Sequence, residues 1–118
     1  MAQHFKDLIA WQKAMNLVTA IYEATQLFPK HEIFGLTSQI RRAAVSIPSN
    51  IAEGQSHYSK KEFLHFLRHS RGSLAELETQ LLIAKQVNYL PTPKAEELLV
   101  QADEVSRILS GLMASLER

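Results

Sequence analysis

The chain has 118 residues, a net charge of +1, 46% hydrophobic residues and no cysteine. That length predicts one domain able to bury about two-thirds of its unfolded surface without covalent staples. The absence of cysteine excludes a disulfide framework and a thiolate metal site, and no apolar run reaches the ~20 residues of a membrane span.

The first residues, Met1-Ala2-Gln3-His4-Phe5-Lys6-Asp7, lack the charged-then-apolar pattern of a signal segment. A cytoplasmic protein is therefore expected. A first helix is expected from about 7 to 28. One stripe along it is Leu8, Trp11, Met15, Val18, Tyr22 and Thr25; a second is Ala10, Ala14, Leu17, Ile21, Ala24 and Phe28. At ~100° per residue the stripes lie side by side, so about half the circumference is apolar and two neighbours are implied. Pro29 and Gly35 punctuate the chain next. Ile33 and Phe34 between them are expected to tuck under the end of the domain.

A second helix is expected over 36–53, with Leu36, Ile40, Ala43, Ile47 and Ile51 facing the core. Pro48 inside it predicts a kink or a loosened turn, because its ring removes a backbone donor and crowds the carbonyl four residues back. Its outward side carries Arg41, Val45, Pro48 and Ala52. Apolar residues on two sides imply cover on two sides, and Val45, Pro48 and Ala52 are the candidate interface with another copy of the chain. Gly54 reads as a left-handed stop, and the short link to Tyr58 makes the flanking helices antiparallel.

The third helix, expected over 59–88, is the longest. Ser59 and Glu62 form a capping box. Phe63, Leu67, Ser70, Leu74, Leu77, Leu81 and Ala84 alternate steps of four and three, the seam of a helix packed on helices. Its outer stripe starts basic, with Lys61, His65, Arg68 and His69. Arg71 and Glu78 fall on a flank and are expected to be half-buried and paired. The fourth helix, expected over 92–117, starts at Thr92 as cap with Pro93 at the first position. Its seam is Ala95, Leu98, Ala102, Val105, Leu109, Leu112 and Leu116. Four amphipathic helices on short links predict an all-α, up-down-up-down bundle.

Sites for chemistry are few. His65 and His69 share a face, but two imidazoles are not a metal site, and Glu62-x-x-His65 occurs once where bundle di-iron sites need it twice. No nucleophile-base pairing and no Gly-rich phosphate loop is present. No enzyme, cofactor or small-molecule substrate is expected. Charge is uneven. Residues 1–72 carry nine Lys/Arg against five Asp/Glu and all five histidines, whereas residues 73–118 carry four against seven. The candidate phosphate-binding set is Lys60, Lys61, His65, Arg68 and His69, with Arg41 and Arg42 on the neighbouring helix. Tyr58 could stack on a base.

Arg41-Arg42-Ala43-Ala44-Val45-Ser46-Ile47-Pro48-Ser49-Asn50-Ile51-Ala52-Glu53-Gly54 resembles the signature of the bacterial four-helix-bundle proteins encoded in intervening sequences of 23S rRNA genes. Lys60-Lys61-Glu62-Phe63 and Arg71-Gly72-Ser73-Leu74-Ala75-Glu76-Leu77-Glu78-Thr79-Gln80-Leu81 resemble that family's third-helix motif, and Asp7-Leu8 with Trp11 fits its opening. The resemblance implies a left-handed bundle and a homo-oligomeric, pentameric ring. It also links the chain to the accessory variability proteins of diversity-generating retroelements, similar rings that bind nucleic acid and a reverse transcriptase. For the intervening-sequence branch itself no biochemical role is established. Many relatives follow the Glu-Gly with an aromatic residue, a Gly and an Arg, where this chain has Gln55-Ser56-His57. Asn50, Glu53, Arg71, Glu76 and Glu78 are the polar residues of the matching motifs, expected to fix helix register. The basic end leads to the expectation of a non-enzymatic ring that binds RNA or a nucleoprotein through it; the alternative is a protein–protein adaptor without nucleic acid.

Overall fold

The structure, a computed structural model, describes residues 4–118. A 3-10 turn at Phe5–Asp7 leads into α1 (Ile9–Thr25). A second 3-10 turn, Lys30–Glu32, precedes α2 (Leu36–Ser56), and α3 (Lys60–Gln86) and α4 (Thr92–Glu117) complete the chain. No strand occurs among the described residues. The molecule is a rod of 46 × 24 × 19 Å. α1 touches α2 and α4, and α3 touches the same two, with no diagonal packing of α1 on α3 or α2 on α4.

The core follows from the periodicity. On α3 every expected seam residue from Phe63 to Ala84 is buried. On α1 the stripe through Ala10, Ala14, Leu17 and Ile21 is buried, while Met15 and Tyr22 on the other stripe are about 40% exposed. On α2 Ile40, Ala43, Ile47 and Ile51 are buried. Each fully enclosed Leu or Ile stabilises the fold by about 1.5–3 kcal/mol relative to exposure. On α4 the seam runs through Ala95, Leu98, Ala102, Val105 and Leu109 and then shifts to Met113; Leu112 and Leu116 are only half-buried. A straight 3.6-residue helix drifts out of a strict 3.5-residue rhythm, which accounts for the shift at the far end.

Several local expectations change. Pro48 is buried against the bundle rather than facing outward with Val45, inside a helix assigned continuously from Leu36 to Ser56. The helix also continues past Gly54 to Ser56, and Gly54 has no positive φ. Its role is proximity: a Cβ there would stand 2.9 Å from the Phe66 Cβ and 3.0 Å from the Phe63 Cδ1. The left-handed position falls instead on Tyr58, at φ 52°. Thr92 is the first helical residue of α4, behind Pro91, and makes no side-chain cap. Ser59 does cap α3, its Oγ accepting from the Glu62 N–H. Ile33 and Phe34 do not tuck under the bundle. Phe34 is 95% exposed, because Glu32 closes that end by accepting from the Leu36 N–H at 3.0 Å and the Tyr89 hydroxyl at 2.8 Å.

Serines join α2 to α3 at its middle. Ser70 Oγ donates to the Ile47 carbonyl at 2.9 Å, and Ser73 Oγ donates to Ser46 Oγ at 2.9 Å. Asn50 Nδ2 donates back to the Ser46 carbonyl and to Ser46 Oγ. These contacts, with Gly54 against Phe63 and Phe66, run antiparallel along the pair.

Candidate nucleic-acid interface

The expected cationic set divides in two. Lys60, Lys61, His65, Arg68 and His69 occupy the first turns of α3 and are all exposed. Arg41 and Arg42 do not join them. Arg42 lines an open groove of about 520 Å³ with Phe34, Gln39, Ser46 and Glu76. Glu76 is sixteen residues along α3 from Lys60, about 24 Å at 1.5 Å per residue. Antiparallel packing causes the separation, placing the start of α2 beside the later half of α3. Arg41 turns towards α1, where its guanidinium lies 4.7 Å over the Tyr22 ring and its Nε donates to Thr25 Oγ1 at 2.9 Å. It reads as a clasp between α1 and α2.

The remaining cations surround an aromatic cluster that periodicity did not reveal. The His57 ring stacks on Phe66 at 5.3 Å and 11°. His65 meets the same Phe66 edge-on at 5.2 Å and His69 at 4.7 Å. His65 and His69 follow from helical spacing. His57 does not, because only the tight α2–α3 turn swings it back over α3. Beside this cluster Tyr58 projects from the turn, 77% exposed. The nearby acids are weakly placed to neutralise the patch. Glu117 of α4 is 3.9 Å from Arg68 with both side chains more than half exposed, a pairing worth little in water. Glu53 and Glu62 belong to the ends of α2 and α3, Glu53 exposed and Glu62 half-buried.

The other polar motif residues do not pair as expected within one chain. Among the described residues no ion pair within 4.0 Å engages Glu53, Arg71, Glu76 or Glu78. Arg71 is exposed and Glu78 half-buried. The α2–α3 register is held by the serine bridges and Gly54, short groups that let the backbones approach. Among the proposed interface residues, Val45 is 39% exposed, Ala52 is half-buried and Pro48 is enclosed. No group of three or more His, Asp or Glu side chains fit to hold a metal comes together among the described residues. No helix of the structure is long and apolar enough to cross a membrane.

The geometry defines a four-helix bundle with an aromatic-cationic ledge at the α2–α3 end. The chain matches the 23S rRNA-intervening sequence protein family over residues 6–111, and it belongs to that family. A crystal structure of a protein of unknown function from the S23 ribosomal protein family of Bacteroides thetaiotaomicron VPI-5482 is similar in fold. Its TM-score is 0.81 at 21% identity, covering 89% of this chain and 98% of that one. None of the curated proteins matches the chain.

Proposed function

We propose that this chain is a non-catalytic, cytoplasmic bundle, left-handed and up-down-up-down. In this reading it assembles into a homopentameric ring and binds RNA or a nucleoprotein through the start of α3. The observation that carries the binding reading is the exposed run of Lys60, Lys61 and Arg68 beside three histidines, opposed only by partly solvated acids. A ring would repeat this patch in every subunit and raise its effective affinity. Arg41 and Arg42 are left out of the contact set because they lie elsewhere.

Phosphate contacts release counterions, so binding falls with salt at a log–log slope near −0.7 to −0.9 per contact. Fluorescence anisotropy with a structured RNA is expected to give a slope of roughly −2 to −3 per subunit engaged. Lys61→Glu and Arg68→Glu each make the slope shallower. A flat response to salt, or no binding at low salt, rejects the reading.

The second reading is a protein–protein adaptor, favoured by the exposure of Leu27 at 90%, Phe34 at 95% and Val100 at 71%. It requires function to survive Lys61→Glu and Arg68→Glu together.

A further inference from the structure

Among the described residues, two turns put a non-glycine residue in the left-handed region. At the α3–α4 turn it is Asn88, at φ 66°. Asn is a residue whose short polar side chain tolerates that conformation. At the α2–α3 turn it is Tyr58, at φ 52°, a bulky residue in a conformation that disfavours it. A residue held against its backbone preference is an observation that calls for a function. Burial of the ring does not supply one, since Tyr58 is 77% exposed. Nor does a hydrogen bond of its hydroxyl, which has no partner among the described residues; the Tyr58 N–H reaches the Gln55 carbonyl at 3.4 Å. What the conformation achieves is presentation of an aromatic face to solvent at the tip of the bundle.

The surroundings specify what that face meets. His57 precedes it, its ring held flat on Phe66, so a second planar ring is fixed in orientation beside the tip. Lys60, Lys61 and Arg68 follow on α3 and are exposed. Exposed planar rings interleaved with cations match a ligand that alternates planar bases with anionic phosphates and whose bases are free to stack. A paired duplex hides its base faces, whereas a single strand offers them. We propose that the α2–α3 turn is a stacking ledge for single-stranded nucleic acid, with Tyr58 taking an unpaired base and Lys60 and Lys61 its flanking phosphates. This rests on the nucleic-acid reading above and narrows it to unpaired strands.

The test uses the full chain and a fluorescein-labelled, purine-rich RNA of about 12 nucleotides, within the span such surfaces cover, free and annealed to its complement. The single strand is expected to bind more tightly than the duplex. Tyr58→Ala weakens single-strand binding by roughly 5- to 100-fold, the range for loss of one stacked base, and leaves the duplex affinity and the salt slope unchanged. Tyr58→Phe retains binding. Tyr58→Gly serves as the folding control: it removes the ring and relieves the backbone, so it melts no lower than the wild type yet loses the same binding. A single strand carrying 5-iodouracil, irradiated on the protein, crosslinks at Tyr58. If the duplex binds as well as the single strand, or Tyr58→Ala and Tyr58→Gly bind like the wild type or weaken both forms alike, the ledge is overturned while nucleic-acid binding stands. If neither RNA binds at low salt, both readings fall together.

Discussion

Glu32 does more for the fold than its place in a loop implies. Its carboxylate accepts from the Leu36 N–H, one of the open donors at the start of α2, and from the Tyr89 hydroxyl at the α3–α4 turn. The backbone bond from Leu36 is the main cause that holds its pKa below the ordinary 4.5, the Tyr89 bond and His31 adding to it against desolvation. The same bond, with burial, pushes the Tyr89 hydroxyl above its ordinary value of 10.0. A depressed carboxylate pKa contributes stability above the unfolded value and loses it as pH falls through the folded one. A raised phenol pKa contributes below its unfolded value and loses it as pH rises through the folded one. Glu32→Gln is therefore expected to lower the urea midpoint at neutral pH. The gap to the wild type narrows as pH falls through the depressed folded-state pKa of Glu32. A gap that stays constant with pH would show that the ionised carboxylate is not what ties the two turns. Gly35 belongs to this device, because a Cβ there would stand 2.5 Å from Glu32 Oε1 and displace it.

Among the helices, α2 and α3 share the most extensive contact, and their glycines separate two roles that look alike in sequence. Gly54 lies inside α2 under Phe63 and Phe66, whereas nothing stands within 4 Å of a Cβ at Gly72 in α3. Alanine in a helix interior gains up to about 1 kcal/mol over glycine. At Gly72 that gain is free, so Gly72→Ala is expected to stabilise by about 0.5–1 kcal/mol. At Gly54 the clash is with Phe66 Cβ, an atom anchored to the α3 backbone, and overpacking of this kind costs about 1–3 kcal/mol. Gly54→Ala is therefore expected to destabilise by up to about 2 kcal/mol net. Chemical denaturation of the two variants side by side reads the difference, and equal behaviour would show that the helices are not pinned at Gly54. The serines explain why this contact needs no ions. Ser70 and Ser73 place hydroxyls where longer charged side chains would hold the helices apart.

At the scale of the whole molecule, the outer faces of α1 and α2 leave apolar surface uncovered. Ile9 is 61% exposed, and Met15, Tyr22 and Val45 are each about 40% exposed. Arg41 bridges to Tyr22, so Val45, one turn further along α2, belongs to the same face as the α1 stripe. Association of like chains through this face is the expectation. Light scattering should return a multiple of 13.4 kDa, five-fold for the proposed ring. Val45→Asp should return the single chain with its helical content intact, since an exposed position accepts a carboxylate without cost to the monomer core. A wild-type protein that stays at the mass of one chain removes the ring and the repeated patch with it.

The α3 seam from Phe63 to Ala84 was legible residue by residue, because a helix packed on helices must repeat its apolar residues at the period of its own turn. The same logic marked the α1 core stripe, the α2 core face and the first four turns of α4. It could not say which of two apolar stripes on α1 faces inward, nor that Pro48 is enclosed and Phe34 is not, since each depends on what the neighbouring helix covers. The cationic set shows the limit most clearly. Spacing along α3 placed Lys61, His65, Arg68 and His69 on one face, a matter of local geometry alone. Whether Arg41 and Arg42 stand with them was decided by the antiparallel register of α2 on α3, which sets Arg42 beside Glu76, about 22 Å along α3 from Lys61 and about 12 Å from Arg68. The tight turn at Tyr58 decided in the same way that His57 lies on Phe66. Local period is written in the order of residues along one chain segment; proximity between segments comes into being only when the helices pack.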